Sequence, residues 1–239
     1  MKLNKRPAIV TGLLLLFIIA GILEYKGMIW HNSLFAAKYK VRGIDVSHYQ
    51  GKIDWDKVAG SGKWNFVYIK ATEGKDLTDE YFKSNWEQAR SNGMRTGAYH
   101  FFTTQSSGTE QAAHFMEEVP YEKASLPPVI DIEISPDKDV AHIQNELTVL
   151  ANGLEQHYKQ RPILYVTYDT YNAYIAGSFE DYDIWVRDVL KPPALRDDRA
   201  WIFWQYKNRG HVSGIDAYVD INVFHGNKAD FEARFKSSK

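Results

Sequence analysis

The sequence contains no cysteine, no internal repeat, no low-complexity linker and no surplus of charge of either sign. Without cysteine, the chain has no disulfide framework, no thiol nucleophile and no zinc-thiolate site. Its 29 basic residues are matched by 30 acidic residues, so it lacks the broad positive surface that binds nucleic acid. We therefore expect no nucleic-acid partner.

What the chain does contain is the composition of a folded enzyme. Of its 239 residues, 44% are hydrophobic and 25% are charged, which provides enough apolar material for one large α/β domain. Aromatic residues are abundant, with seven Trp, fifteen Tyr and twelve Phe. Such rings fill protein cores and also stack on the faces of sugars, so composition alone leaves both interpretations open.

The first forty residues have the pattern of a targeting segment. Lys2, Lys5 and Arg6 precede an uncharged apolar run at residues 7–23. A helix over this run is roughly 25 Å long, against a hydrocarbon core of roughly 30 Å. The segment is either a cleaved signal peptide or a retained anchor. We favour the anchor, because the nearest small-residue cleavage motif, at residues 35–37, lies far downstream.

The chain therefore divides into two parts. Residues 1–40 comprise a basic cytoplasmic stub, a signal-anchor helix and a linker, and residues 41–239 form the folded domain. A basic amino terminus favours the cytoplasmic side of a membrane. We expect the folded domain to be membrane-anchored on the non-cytoplasmic side, or secreted if the helix is cleaved.

Beyond residue 41, short runs rich in β-branched and aromatic residues alternate with stretches of helical period. The predicted strands cover residues 42–47, 66–71, 96–102, 129–134, 163–167, 183–186 and 202–206. The predicted helices cover residues 79–92, 110–118, 140–158 and 229–235. This order predicts an α/β fold in which a parallel sheet closes into an irregular TIM-like (β/α) barrel. Helices are scarce after residue 201, so we expect the last strands to pair directly.

Two acids interrupt the otherwise apolar strand Val-Ile-Asp-Ile-Glu-Ile at residues 129–134. Because side chains alternate along a strand, Asp131 and Glu133 face the same side. Two ionised carboxylates so close repel each other, so one keeps its proton to higher pH, as a glycosidase requires of its general acid. Taken alone, the motif also fits a salt-bridged pair or a solvent-facing edge strand.

Further acids occur inside apolar, strand-like runs at Asp45 and Asp220. Several buried carboxylates that converge at the mouth of a barrel carry a desolvation cost that catalysis explains. We therefore take Asp45, Asp131, Glu133 and Asp220 as the candidate catalytic residues.

A second group of residues is assigned to substrate binding. Glu73, in Thr-Glu-Gly after a predicted strand, is either an acid of the site or a structural partner of Lys70. His100 is either a substrate contact or a core histidine. Other residues at predicted strand ends suit sugar stacking or hydroxyl contacts, although several of them must belong to the core: Tyr99, Tyr165, Trp185, Trp204, Gln205 and Tyr206.

These segments resemble a known enzyme family. They are Gly-Ile-Asp-Val-Ser-His-Tyr-Gln-Gly at residues 43–51, Ile-Lys-Ala-Thr-Glu-Gly at 69–74, Gly-Ala-Tyr-His-Phe at 97–101, Asp-Ile-Glu at 131–133, Trp-Gln-Tyr at 204–206 and Val-Asp-Ile-Asn-Val-Phe at 219–224. In this order they are similar to the glycoside hydrolase family 25 lysozymes, and the resemblance covers nearly all of residues 41–224.

The resemblance implies hydrolysis of the β-1,4 bond between N-acetylmuramic acid and N-acetylglucosamine in peptidoglycan, with retention and without a metal or other cofactor. Carried over by position, Glu133 is the general acid and base. Asp131 is either the nucleophile or the partner that orients the substrate's acetamido group. Asp45 and Asp220 bind and polarise the substrate. An older assignment in the family gives the active roles to Asp45 and Glu73, which we rank below the pair on the strand.

We expect the domain to act as a monomer on peptidoglycan glycan strands. Two alternatives remain open. The same cleft could hold glycan without cutting it, as a binding module of the cell envelope. The barrel could also act on chitin-like chains, but the longer acidic strand signature of such enzymes is missing around Asp131.

Overall fold

Strands and helices alternate along most of the chain, and a computed structural model describes residues 6–236. The strands are β1 Arg42–Val46, β2 Phe66–Glu73, β3 Leu77–Thr78, β4 Arg95–Phe101, β5 Val129–Ile132, β6 Ile163–Val166, β7 Ile184–Arg187, β8 Phe203–Val212 and β9 Ile215–Phe224. The helices are α1 Arg6–Tyr25, α2 Asn32–Ala36, α3 Trp55–Gly60, α4 Phe82–Ser91, α5 Gly108–Glu118, α6 Val140–Tyr158, α7 Tyr168–Thr170 and α8 Lys228–Arg234.

Eight of these strands close into a barrel. Its order is β1-β9-β8-β7-β6-β5-β4-β2, and the pairing of β1 with β2 completes the ring, while the short β3 is attached to β2. Neighbours are parallel except around β9, which runs antiparallel to both β8 and β1. The predicted α/β barrel is therefore confirmed. The expectation that the last strands pair directly is also confirmed, because no helix separates β8 from β9.

Alternation along the strands separates two cores. Outward-facing Ile, Val and Leu side chains pack under α4, α5 and α6. Inward-facing side chains are mostly aromatic and fill the lower barrel, with Phe66, Tyr68 and Phe203 among them. Because β-strand side chains point to opposite faces in turn, the same run of residues supplies both layers.

The amino-terminal end of the barrel is closed by rings. Phe231 and Phe235, from α8 and the residue after it, lie 5.7 Å from Phe66 and 5.8 Å from Phe203, measured between ring centroids. The rings need space beside the strands, and Gly43 provides it, because a Cβ there would lie 2.3 Å from the Phe66 ring. This end is filled, so an open site is left for the carboxyl-terminal end.

The longest helix of the barrel wall, α6, has the bounds that its helical period predicted, and both of its ends are capped. The Asp139 side chain accepts a hydrogen bond from the His142 amide at 2.7 Å, which satisfies a free donor of the first turn. At the other end Lys159 adopts a left-handed conformation with φ of 56°, which stops the helix.

Residues 24–40, the amino-terminal strap, pack against the barrel. The Trp30 indole donates to the Tyr206 carbonyl at 2.7 Å, and the Asn32 amide donates to the Asp188 carbonyl at 3.1 Å. Lys207 donates to the Gly27 carbonyl at 2.8 Å. Asn32 and Ala36 are fully buried. The packed body therefore begins before residue 41, where the sequence analysis placed the start of the folded domain.

The predicted amino-terminal helix is present as α1, and many of its apolar side chains are exposed, Leu16 and Phe17 among them. Lys2 and Lys5 of the predicted basic stub lie outside the described residues. Among the helices of residues 6–236, none is long and apolar enough to span a membrane. The membrane-spanning part of the prediction is thus not supported.

Candidate active site

The alternation of side chains along β5 brings the first candidate acid into the barrel. Ile130 and Ile132 face outward and are fully buried, whereas Asp131 faces the interior and keeps 8% of its surface exposed. Strand β5 ends at Ile132, shorter than predicted. Glu133 follows directly, exposed at the rim, and lines the same cleft.

Asp45 and Asp220 are brought together by strand pairing. They are register partners across the antiparallel β1 and β9, and both line the cleft. Asn222, one inward position away on β9, donates to the Asp45 carboxylate at 2.7 Å and accepts a bond from the Trp185 indole at 3.0 Å. This amide fixes the direction of the Asp45 carboxylate.

All four candidate acids thus line one cleft at the carboxyl-terminal end of the barrel strands. Its volume is about 370 Å³. The remaining lining residues are Val46, Ser47, Tyr49, Gln50, Lys70, Glu73, Tyr99, Phe101, Val129, Tyr165 and Trp185. This end is where barrel enzymes place their active sites.

The acids of the cleft hold their protons more tightly than ordinary carboxyls. Burial raises the pKa of Asp45 well above its usual value, and the charge of Asp220 adds to the effect. Burial likewise raises the pKa of Asp131, with the charge of Glu133 as the next cause. Carboxyls that are desolvated and crowded by like charges share protons, as acid catalysis requires.

The pKa values of Glu133 and Asp220 are also raised by burial, but a cation opposes the rise. The positive charge of Arg187, on the inward-facing side of β7, lowers both. The pKa of Asp220 is raised to about 6. Protonated and ionised carboxyls can therefore coexist in the cleft near neutral pH.

Two tyrosines contribute hydroxyl groups to the interior. Burial and the surrounding acids raise the pKa of Tyr99 and of Tyr165 well above the usual value, so both remain hydrogen-bond donors. The Tyr165 hydroxyl donates to the Gln205 side chain. Gln205 also hydrogen-bonds the Asp220 carboxyl and lowers its pKa. Gln205 thus supports the cleft from beneath instead of lining it.

Three of the predicted substrate contacts lie on the outer face of the barrel. His100 is fully buried between Thr72 and Gln111. Trp204 donates to the Asp188 carbonyl, and both Trp204 and Tyr206 belong to the outer core. For these residues the structure agrees with the core interpretation that the sequence left open, because neighbours on a regular strand face opposite sides. Tyr99 lines the cleft, and its neighbour His100 therefore does not.

The sequence analysis missed several cleft residues. Ser47, Tyr49 and Gln50 come from the turn after β1, and the Gln50 side chain anchors that turn to the Tyr218 carbonyl at 2.8 Å. Asn222 was detectable, because it lies two positions from Asp220 and shares its face. Arg187 was detectable in the same way, because it lies two positions from Trp185 on β7 and shares its face.

Within residues 6–236, no group of three or more His, Asp or Glu side chains is arranged to hold a metal ion. The side chains that line the cleft carry carboxyl, amide, hydroxyl and ammonium groups. Such an arrangement suits proton transfer to and from a neutral polar substrate.

The comparisons with known proteins agree on one family. Residues 44–215 match the sequence model of Glycosyl hydrolases family 25. The uncharacterized protein YegX of Escherichia coli (strain K12) is 36% identical, over 82% of this chain and 74% of that protein. Lysozyme M1 of Streptomyces globisporus is 35% identical, over 79% of this chain and 69% of that protein. A family 25 glycosyl hydrolase structure from Bacillus anthracis superposes with a TM-score of 0.78 at 44% identity, covering 82% of this chain and 94% of that one.

Proposed function

Because the chain belongs to glycosyl hydrolases family 25, we propose that its barrel is a lysozyme that hydrolyses the glycan strands of bacterial peptidoglycan. The bond cut is the β-1,4 linkage between N-acetylmuramic acid and N-acetylglucosamine. The observation that carries the proposal is the convergence of Asp45, Asp131, Glu133 and Asp220 in one cleft at the carboxyl-terminal end of the strands. The similarity to Lysozyme M1 supports the choice of substrate.

In this proposal Glu133 is the general acid. Its surface is partly exposed at the rim, where a glycosidic oxygen can reach it, and partial desolvation of the carboxyl by the cleft walls raises its pKa and favours the protonated form. Glu133 gives that proton to the leaving oxygen as the bond to the sugar's anomeric carbon breaks. The resulting carboxylate then takes a proton from the water that attacks the same carbon, so Glu133 ends the cycle protonated.

Asp131 is the anionic partner of Glu133. It lies deeper, beneath the sugar that would occupy the cleft, with 8% of its surface exposed. It acts either as the nucleophile or by orienting the substrate's acetamido oxygen towards the anomeric carbon. A glycosyl adduct on Asp131, detected by mass spectrometry of the protein, supports the first route. Asp45 and Asp220 bind and polarise the substrate from the opposite wall.

Aromatic rings supply the sugar contacts. Tyr99 of β4 and Tyr165 of β6 line the cleft, and Trp185 of β7 lies at its floor with 1% of its surface exposed. Tyr49 lines it as well, and 76% of its side chain surface is exposed, which leaves the ring free to stack on a pyranose face. Since the substrate lies outside the cytoplasm, we place the enzyme in the periplasm or the exterior. Two predictions remain to be tested. Cell fractionation tests attachment to a membrane through the amino-terminal segment, and light scattering tests the monomeric state.

The test is Glu133→Gln assayed on purified peptidoglycan by reducing-end release. We expect a loss of about 100-fold or more, because general acid catalysis contributes that much, with unchanged thermal unfolding. Glu87→Gln, the same substitution at an exposed position of α4, is the control and should keep full activity. Mass spectrometry of the fragments identifies the bond. A wild-type protein that binds peptidoglycan and releases no reducing ends would be a binding module instead.

A further inference from the structure

Strand β2 contains a bulge that changes which of its side chains face the cleft. The register with β4 shifts between Lys70 and Thr72. In a regular strand Lys70 and Glu73 would face opposite sides. The bulge places Ala71 and Thr72 together on the outer side, where both are fully buried. Lys70 and Glu73 consequently both line the cleft. Bulges re-aim side chains in this way near active sites.

The bulge is held from behind by His100. Burial lowers the pKa of His100 to about 4, so the ring is neutral at physiological pH. Its Nε2 lies 2.9 Å from the Gln111 side-chain oxygen, which can only accept, and its Nδ1 lies 2.8 Å from the Thr72 hydroxyl. The ring therefore donates through Nε2 and accepts from Thr72 through Nδ1. This fixed pair of bonds locks the conformation of the bulge.

The bulge places the Lys70 ammonium at the same height along the barrel axis as Asp131. Glu73, Phe101 and Asp131 are successive register partners across β2, β4 and β5. The Lys70 ammonium donates to the Glu73 carboxylate at 2.6 Å and lies 5.1 Å from the centroid of the Phe101 ring. Only 8% of the Lys70 side chain is exposed. The ammonium is thus fixed inside the cleft and not free to swing into solvent.

The surroundings of Asp131 disfavour its ionised form. Its Oδ1 is buried and has no hydrogen-bond partner in the described structure, and the charges of Glu133, Asp45 and Asp220 all raise its pKa. The charge of Lys70 lowers the pKa of Asp131. A buried carboxylate without donors stays ionised only if a nearby cation stabilises it.

We propose that Lys70 is a positioning residue that opposes the crowding of acids around Asp131 and favours its anionic form, while Glu133 at the rim serves as the proton donor. Glu73 holds the Lys70 ammonium in place and does not itself donate a proton to the substrate. The inference rests on the roles proposed above for Asp131 and Glu133. It explains why two acids on one strand divide into an acid and an anion, since Lys70 acts on the deeper of the two.

The test compares Lys70→Met, Lys70→Arg and Glu73→Gln in the full chain. Lys70→Met removes the charge and keeps most of the packing. The pKa of Asp131 then rises, and the acidic limb of the kcat/KM profile should move up by about one pH unit or more, as loss of a neighbouring opposite charge predicts. The loss at pH 6 should be about tenfold or more, mostly in kcat. Lys70→Arg keeps the positive charge, so the acidic limb of its pH profile should lie at the wild-type position.

Glu73→Gln keeps an acceptor for Lys70, so we expect it to retain activity within about tenfold. A loss of about 1,000-fold, in the range of removing an essential acid, would give Glu73 the proton-donating role and overturn the proposal. An unmoved acidic limb in Lys70→Met would overturn it as well.

A second measurement separates this inference from the proposed function. Carbon-13 NMR titration of the Asp131 carboxyl, in wild type and in Lys70→Met, reports the pKa without any substrate. A pKa that rises in the variant supports the inference, and an equal pKa in both proteins refutes it. If the wild-type protein releases no reducing ends from peptidoglycan, the proposed function fails while the titration result stands.

Discussion

Neutralising Asp220 should stabilise the fold at the expense of activity. Burial raises the pKa of this carboxyl from 3.8 to about 6. A group with a higher pKa in the folded state binds its proton more tightly when folded. Its contribution to stability is therefore fully present below about pH 4 and is lost as the pH rises through about 6. Above that pH, the folded protein carries an ionised carboxylate in a desolvated site.

The magnitude follows from the shift. A difference of about two pH units, at 1.36 kcal/mol for each unit, corresponds to about 3 kcal/mol at pH 8. Asp220→Asn removes the ionisation and retains a side chain that can still hydrogen-bond to Gln205. We expect the variant to be more stable than wild type by about 2 to 3 kcal/mol at pH 8, and by less than about 1 kcal/mol at pH 4. It should lose activity, because Asp220 lines the cleft.

The assay is urea unfolding followed by tryptophan fluorescence at both pH values, with reducing-end release measured in parallel. Asp216→Asn is the matched control, since it makes the same change at an exposed position of the same strand. The control should change stability by less than about 0.5 kcal/mol. A variant that is equally stabilised at pH 4 and pH 8, or destabilised at pH 8, would refute the reasoning.

Two further predictions concern support of the site and of the barrel. Asn222→Ala leaves the Asp45 carboxylate and the Trp185 indole without their shared partner, so the free energy of unfolding should fall by about 2 to 4 kcal/mol and cleavage should drop; urea unfolding with wild-type stability would contradict this. Trp30→Ala removes the bond to the Tyr206 carbonyl and should lower stability by about 2 to 3 kcal/mol. The control is Leu34→Ala in the same strap, at a residue that is 81% exposed, and it should change the free energy of unfolding by less than about 0.5 kcal/mol. If Trp30→Ala changed the free energy of unfolding as little as this control, the strap would contribute nothing to the stability of the folded body.

Several features followed from local patterns. Helix α6 was predictable because the residues from Val140 to Tyr158 follow the period of a helix. The pairing of Asp131 with Glu133 followed from the period of two along a strand, which needs no knowledge of the rest of the chain. The expected substrate contacts included neighbours on one strand, such as Tyr99 and His100, which face opposite sides of the barrel wall. Applying the same period to them would have excluded one of each pair.

Other features depend on contacts between distant segments. Asp45 faces Asp220 only because β9 inserts antiparallel between β8 and β1. The packing of residues 24–40 against β8 joins segments about 175 positions apart, as in the bond from Trp30 to Tyr206. No local pattern in either segment encodes that pairing.

Local periodicity and short motifs were enough to predict the barrel class, the family resemblance and the four acids, because none of these depends on contacts between distant segments. Which side chains share the cleft depends on the folded barrel. The bulge in β2 turns Glu73 inward beside Lys70, and the register across β2, β4 and β5 sets their height against Asp131. Register and bulges arise from packing between strands, and packing is a property of the closed barrel and not of any one segment.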